Sequence, residues 1–201
     1  MIVRIKMKTI IIDLDDCIAN GSERCTREYN KLLPNHLPKI TVDTIEYDFY
    51  NKLGIKFREF FTEEHFLELN PIENSVETLQ NLSKDYRIMY ITARGFLSNG
   101  YEVSKQWLTM HSFPFKTTDG LFVVDTELKS SIVNRYNLGE VEFVLDDAIS
   151  NITDYRNNIK TNHIFMIDRP WNRDNREFDQ YRIKNIIEVL AKLGYNNHET
   201  S

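Results

Sequence analysis

The stretch IIIDLDDCIAN, residues 10–20, joins three isoleucines directly to three closely spaced carboxylates. A run of β-branched residues is typical of a strand that is buried on both faces, as in a parallel sheet. The carboxylates of Asp13, Asp15 and Asp16 repel one another, and removing each of them from water is costly. We therefore expect a positive group or a cation to lie beside them.

The composition limits the class of protein. The chain has 201 residues, is 41% hydrophobic and carries a formal net charge of -5, so it can build one core with an insertion, or two small domains. It shows no Lys/Arg-rich run that would bind long nucleic acid, no membrane-spanning apolar stretch and no signal-peptide pattern. Its two cysteines do not suggest a disulfide framework. We expect a cytoplasmic protein without a membrane or long nucleic acid as partner.

Short apolar runs and helical patterns alternate along most of the chain. This alternation predicts an α/β fold, with a Rossmann-like, doubly wound parallel sheet. The predicted strands are residues 9–13, 87–92, 121–125, 141–147 and 163–168. The predicted helices between and after them include residues 75–84, 102–110, 128–139 and 178–193.

One segment, residues 18–74, interrupts this alternation. It contains no comparable strand and several helical patterns that are rich in Phe and Tyr. We predict a small helical cap, inserted after the first strand, on a core formed by residues 1–17 and 75–201. Most of the cap aromatics are expected to pack against one another, while Phe60, Phe61 and Phe66 are candidates for stacking on a substrate ring.

Acidic pairs follow two of the predicted strands. In an open parallel sheet, ligands bind at the carboxyl ends of the strands. Asp13 with Asp15, and Asp146 with Asp147, would meet at that edge. Oxygen ligands without histidine or a zinc-type cysteine pattern favour Mg²⁺. The sequence therefore predicts a magnesium site, and Asp16 is expected to cap or hydrogen-bond the segment that enters the helical cap.

Two further groups suit a phosphoryl ligand. Thr92 ends the second predicted strand and offers a hydroxyl, and Lys129 begins a helix and offers an ammonium group. A cation and a lysine together stabilise negative phosphoryl oxygens, which leaves Asp13 free to attack phosphorus. Lys105 and Lys116 are alternatives to Lys129.

Four motifs appear in the order of the haloacid dehalogenase superfamily of phosphotransferases, which the chain resembles. They are DLDD at 13–16, ITAR at 91–94, Lys129 and VLDDAISN at 144–151. Within that superfamily, FLELNPIENSVETLQNL at 66–82 and FMIDRPWNR at 165–173 resemble the 5′(3′)-deoxyribonucleotidases. The chain departs from the superfamily pattern at Asp16, where glycine is frequent, and at Cys17, where threonine or valine is frequent.

The resemblance implies catalytic and metal-binding roles for the acidic residues. Asp13 would be the nucleophile that forms an aspartyl-phosphate, and it would also bind Mg²⁺. Asp15 would act as the general acid and base, and its backbone carbonyl would bind the metal. Asp146 would be the third protein ligand, and Asp147 would hold water on the metal or pair with Lys129.

The resemblance also implies roles around the phosphate. Thr92 and Lys129 would hold the phosphate group. Arg94 would contact phosphate or sugar, or else lie in a surface loop. Trp171 and Asn172 would contact the substrate, or else Trp171 would pack.

The sequence leaves several functions open. The expected substrate is a nucleoside monophosphate, but another small phosphomonoester or a polynucleotide 3′-phosphate would use the same core chemistry. A non-catalytic phospho-receiver and a degenerate binding module are alternatives. A receiver begins with its acidic pair, whereas the comparable VLDDA run lies at the end of the fourth strand predicted here. The base, the sugar and a homodimer are left open by the sequence.

Overall fold

The computed structural model describes residues 7–46, 49–52, 54–115 and 120–195. Its described strands are β1 (Thr9–Ile12), β2 (Arg87–Thr92), β3 (Leu121–Val123), β4 (Val141–Asp146), β5 (Thr161–Ile167) and β6 (Arg182–Ile183). They form one sheet in the order β3-β2-β1-β4-β5-β6, and every pair is parallel. The predicted doubly wound parallel sheet is confirmed.

Helices connect the strands, and two of them lie close to their predicted bounds at 75–84 and 102–110. The described helices are α1 (Gly21–Leu32), α2 (Phe49–Lys52), α3 (Phe57–Phe60), α4 (Glu63–Leu67), α5 (Ser75–Leu82), α6 (Gly100–Met110), α7 (Lys129–Arg135), α8 (Ile149–Asn158) and α9 (Ile187–Lys192). Among the described residues, no helix is both long and apolar enough to cross a membrane.

The continuous helix expected over residues 178–193 is wrong. A 3₁₀ turn at Arg176–Tyr181, the short strand β6 and the helix α9 occupy this region. The backbone N–H of Asp168 donates to the Ile183 carbonyl at 2.8 Å. This pairing with the edge of the sheet holds the chain extended where its periodicity alone suggested a helix.

The isoleucines of β1 are buried on both faces of the sheet. Ile10 and Ile12 pack in the core under α5, α6 and α9, and Ile11 packs in the core under α7 and α8. Because successive strand residues point to opposite faces, each face receives its own apolar side chains. This two-sided burial explains the unbroken apolar run before Asp13.

Residues 18–74 contribute α1 to α4, and no strand among their described part. Their two ends are joined, since Asn20 N donates to Asn70 O and Ile72 N donates to Ile18 O, both at 2.8 Å. We call the buried group Cys25, Tyr29 and Ile45 the cap cluster.

The cap aromatics pack largely as expected, but one of them is buried in the main core and not in the cap. Phe60 and Phe61 pack against the cap cluster. Phe66 and Leu69, in contrast, are buried in the main core. The boundary at residue 74 stays a prediction, because the end of the cap shares the core of the sheet.

Asp16 caps α1, as predicted. Its carboxylate accepts hydrogen bonds from Ser22 N at 2.7 Å and from Ser22 Oγ at 2.5 Å. Its φ angle is 55°, a conformation that glycine adopts more easily than other residues. Gly21 gives the carboxylate room, because a Cβ there would lie 3.0 Å from Asp16 Oδ2.

A buried aspartate on α8 holds the beginning of α7. Asp154 accepts hydrogen bonds from Ser130 N at 2.9 Å and from Ser130 Oγ at 2.6 Å. Both residues are buried. Since Ser130 follows Lys129 directly, these bonds also fix the backbone that carries Lys129.

We predict that Asp154→Ala lowers the free energy of unfolding by about 2 kcal/mol, because it leaves buried donors of Ser130 without an acceptor. Urea unfolding followed by circular dichroism measures the change. Asp179→Ala is the matched control at an exposed position and should change stability by less than about 0.5 kcal/mol. Equal effects of the two substitutions would contradict the capping role of Asp154.

Candidate active site

The acidic residues converge where β1 and β4 lie side by side. Asp13 directly follows β1, Asp146 ends β4, and Asp147 comes next. The backbone N–H of Asp13 donates to Leu145 O at 3.0 Å, so the two strand ends are in register. In the strand order β3-β2-β1-β4-β5-β6, successive strands are added on one side of β1 up to β3 and on its other side from β4 onward. Ligands bind at such a switch point in open parallel sheets.

Lys129 lies between two of these carboxylates. Its Nζ is 2.8 Å from Asp13 Oδ1 and 2.8 Å from Asp146 Oδ2, and the lysine side chain is only 2% exposed. Burial lowers the pKa of Lys129, but the two carboxylates outweigh burial and hold its pKa well above the usual range. The ammonium is therefore charged.

The other two lysines considered from the sequence do not take this position in the described structure. Lys105 pairs with Glu102 on the outer surface of α6 at 3.3 Å. Lys116 lies outside the described residues.

Asp146 has both of its carboxylate oxygens occupied. Besides Lys129, it accepts from Ala148 N at 3.0 Å and from Asn151 Nδ2 at 3.0 and 3.1 Å. The expected alternative in which Asp147 pairs with Lys129 is wrong. Lys129 contacts Asp146 instead, because α7 approaches the sheet beside the last residue of β4.

Asp13 and Asp147 fit a divalent cation. Carboxylate oxygens of these two residues and Sγ of Cys17 lie within 4.8 Å of one another. Burial, followed by the neighbouring carboxylates, raises the pKa of Asp147 well above its usual range, and burial also raises the pKa of Asp13. The single positive charge of Lys129 faces three nearby carboxylates, those of Asp13, Asp146 and Asp147. Two excess negative charges would therefore remain when all three are ionised. A divalent cation balances that excess.

Cys17 is the third member of this group, but it does not supply a thiolate. Its side chain is 1% exposed, and burial raises the pKa of the thiol well above the usual range. The donors that remain are carboxylate oxygens, which suit hard cations such as Mg²⁺ better than soft ones.

Arg94 is fully buried and bound to Asp15. Its Nε donates to Asp15 Oδ2 at 2.9 Å, and its Nη2 donates to Asp15 Oδ1 at 2.6 Å. The guanidinium also lies 4.4 Å from the centre of the Phe66 ring. A surface loop position is thus wrong. Arg94 makes a two-point contact with the predicted general acid, and its expected contact with phosphate or sugar stays a prediction.

Thr92 ends β2 and is completely buried. Its Oγ1 has no hydrogen-bond partner among the described residues. A buried hydroxyl without a partner is uncommon, because each such group loses its bond to water. The unpaired hydroxyl lies at the end of β2, and its expected contact with phosphate stays a prediction.

A pocket opens from the acidic residues toward the cap. Phe61, Phe66 and Trp171 line it, as do Asp13, Asp15 and Lys129. Phe60 does not line the pocket. Its ring centre lies 5.0 Å from that of Phe61 and 5.5 Å from that of His65. Sequence reasoning missed three aromatic side chains that line the pocket, namely Phe57, His65 and Phe96.

Three further residues support the acidic loops, and of these the sequence singled out only Asn172, as a candidate for substrate contact. Asn151 binds Asp146, Asn172 donates to the Asp147 carbonyl at 2.8 Å, and Arg169 donates to the Asp16 carbonyl at 2.9 and 2.6 Å. All three lie inside the quoted motifs at 144–151 and 165–173, and for Asn151 and Arg169 this was the only signal that the sequence offered.

His65 is a buried imidazole in the aromatic wall. Arg24 Nε donates to its Nδ1 at 3.3 Å. Burial, and then the charge of Arg24, lowers the pKa of His65 from 6.5 to about 4, although Asp15 and Glu28 act in the opposite direction. The imidazole is therefore neutral at physiological pH.

We predict that stability falls by about 2.5 kcal/mol as the pH drops from 6.5 to 4, because over this range the unfolded chain binds a proton at His65 more readily than the folded chain does. This part of the pH dependence should be missing in His65→Gln. Urea unfolding at several pH values measures it, and His163→Gln, at an exposed site, is the matched control. Parallel curves for wild type and His65→Gln would refute the prediction.

The fold resembles that of known hydrolases. A haloacid dehalogenase-like family hydrolase from Streptococcus pneumoniae superposes with a TM-score of 0.60 at 14% identity, over 93% of this chain and 98% of that chain. A haloacid dehalogenase phosphatase from Thermococcus onnurineus gives 0.54 at 15% identity, over 94% and 99%. A family hydrolase from Deinococcus radiodurans, with bound phosphate and sodium, gives 0.59 at 11% identity, over 93% and 95%. At these identities the similarity establishes the shared fold.

Comparison with curated protein sequences gives no significant match. The family model described as 5′ nucleotidase, deoxy (pyrimidine), cytosolic type C protein matches residues 6–193. This match extends over nearly the whole chain and includes all four motifs. The chain therefore belongs to the deoxy (pyrimidine) 5′ nucleotidase family of cytosolic type C, and its fold is that of the haloacid dehalogenase-like hydrolases.

Proposed function

We propose that this phosphatase is Mg²⁺-dependent and removes the phosphate from deoxynucleoside monophosphates through an aspartyl-phosphate intermediate. One observation carries the proposal: the carboxylate of Asp13 lies 2.8 Å from the ammonium of Lys129 at the base of a pocket with an aromatic wall. A nucleophile and a positive charge are thereby held together where a phosphoryl group could enter. The aromatic side chains lie farther out, toward the cap.

The proposed Mg²⁺ ligands are the carboxylates of Asp13 and Asp147 and the backbone carbonyl of Asp15. Asp147 is favoured over Asp146, because Asp146 already binds Lys129 and Asn151 through both oxygens. The bound cation would stabilise negative charge on the phosphoryl oxygens. The expected role of Asp146 as a ligand is thus replaced by a role in orienting Lys129.

In the first step, a carboxylate oxygen of Asp13 attacks phosphorus and the ester P–O bond breaks. Asp15, which lines the same pocket, gives its proton to the leaving oxygen. Lys129 and the free hydroxyl of Thr92 contact the phosphoryl oxygens. The products of this step are the aspartyl-phosphate on Asp13 and the released alcohol, which for a nucleotide is the nucleoside.

In the second step, water attacks phosphorus, the bond between phosphorus and the Asp13 oxygen breaks, and inorganic phosphate leaves. Asp15, now ionised, accepts the proton of the attacking water. Arg94 supports this role, because its two-point contact orients the Asp15 carboxylate. Arg94 is therefore a positioning residue in this proposal.

The cap is proposed to choose the substrate. Closing residues 18–74 over the pocket would exclude water and enclose the leaving group. Phe61, Phe66 and Trp171 offer ring faces for a nucleobase, and the family match supports a deoxynucleotide over a sugar phosphate. The cytosolic type of the family agrees with a cytoplasmic location.

We predict that Asp13→Asn lowers phosphate release by at least about 1,000-fold, because an amide cannot form the aspartyl-phosphate. Release of inorganic phosphate from a deoxynucleoside 5′-monophosphate in the presence of Mg²⁺ measures the loss. Asp125→Asn is the matched control, since Asp125 lies just beyond another strand of the sheet, β3, but is exposed. Activity retained in Asp13→Asn would exclude Asp13 as the nucleophile.

A panel of phosphomonoesters tests the substrate. It contains deoxy- and ribonucleoside 5′- and 3′-monophosphates, sugar phosphates and a 3′-phosphorylated oligonucleotide, each with Mg²⁺ or with EDTA. We expect release that needs Mg²⁺ and has its highest kcat/KM with deoxynucleoside monophosphates. A preference for another ester would leave the proposed core chemistry intact, but it would contradict the proposal that the cap selects deoxynucleotides. Equal release in EDTA would contradict the role of the metal.

A further inference from the structure

The loop that follows β5, residues 169–172, contacts both acidic loops of the site. Arg169 donates two hydrogen bonds, at 2.9 and 2.6 Å, to the carbonyl of Asp16 in the loop after β1. Trp171 and Asn172 reach Asp147 in the loop after β4. One short segment therefore holds the loops after two adjacent strands.

Asp147 is held at two points. Trp171 Nε1 donates to its carboxylate Oδ2 at 2.8 Å. Asn172 Nδ2 donates to its backbone carbonyl at 2.8 Å and to the Ile167 carbonyl at the same distance. Asp147 and Asn172 are buried, so water cannot readily replace these donors. The indole bond restricts rotation of the carboxylate about its side-chain torsions.

The indole itself is fixed by its surroundings. Trp171 packs against the cap cluster and lines the pocket. Because its ring is held on the cap side, its N–H is presented to Asp147 before a ligand arrives. A partner that orients a ligand in advance reduces the ordering that metal binding requires.

We propose that Trp171 is a positioning residue, which orients the Asp147 carboxylate for a divalent cation through its indole N–H. The inference rests on the proposed role of Asp147 as a metal ligand. It gives Trp171 a part in metal affinity that is separate from any contact with the substrate. The alternatives from the sequence, a substrate contact or simple packing, do not require the indole N–H.

The test is Mn²⁺ binding to the full chain without substrate, measured by the electron paramagnetic resonance signal of free Mn²⁺. Trp171→Phe keeps an aromatic ring but removes the donor, and its dissociation constant for Mn²⁺ should rise about tenfold. Trp107→Phe is the matched control, because it also removes an indole bond of 2.8 Å, from Trp107 Nε1 to Leu69 O in the core. It should leave Mn²⁺ affinity unchanged. Circular dichroism and the Tm of the metal-free variants show whether each one is folded.

The outcomes separate this inference from the proposed function. Wild-type Mn²⁺ affinity in Trp171→Phe, or an equal loss in Trp107→Phe, would overturn the positioning role alone, provided that Asp147→Asn loses Mn²⁺ binding. Wild-type affinity in Asp147→Asn would overturn both this role and the assignment of Asp147 as a ligand.

A second measurement uses the wild-type chain and does not depend on the folding of Trp171→Phe. The sequence has two tryptophans, so a ¹⁵N-labelled sample gives two indole N–H resonances. The one that remains in Trp107→Phe belongs to Trp171. Adding Mg²⁺ should shift the Trp171 resonance more than that of Trp107, because the charge on its acceptor changes. A Trp171 resonance that does not move would refute the inference.

Discussion

The buried contact of Lys129 with Asp13 and Asp146 is the constraint on which the rest of the site depends. An ammonium and carboxylates withdrawn from water must stay paired, because removing one partner leaves an uncompensated charge and costs about 3–5 kcal/mol. The pairing requires β1 and β4 to be neighbours and α7 to begin beside them. The sheet order and the Asp154 cap of α7 meet both conditions. One positive charge is still too few for the carboxylates present, and that imbalance favours a divalent cation.

Around this cluster, the groups proposed for the chemistry and those proposed for substrate choice come from different parts of the fold. The reacting groups lie at the ends of strands buried on both faces, which hold them rigidly. Most aromatic residues of the pocket wall come from residues 18–74, where packing relies on rings such as Phe57 and Phe61, whose centres lie 4.6 Å apart. Arg94 joins the two parts, since it binds Asp15 and lies against the ring of Phe66. A change in the cap can therefore reach Asp15, the proposed general acid, through this arginine.

Much of the fold could be predicted because its signals are local. Unbroken apolar runs identified five strands, and polar residues at their ends located the site. The sixth strand was missed because β6 has two residues and is extended only through pairing with β5. Phe60 was placed in the pocket wall and Phe57 was not, since neighbouring aromatics in short helices cannot be told apart without their packing.

The sequence by itself determined the parallel α/β sheet, the helical insertion after β1, the acidic strand ends and the family, because these follow from periodicity and motifs. Only the tertiary structure decided the partners of each charge. It placed Lys129 on Asp146 and not on Asp147, buried Arg94 against Asp15, and brought Trp171 to Asp147 from 24 residues away in the chain. The physical reason is that an ion pair or a hydrogen bond is fixed by distance in space, and the order of residues leaves that distance open until the strands and helices have packed.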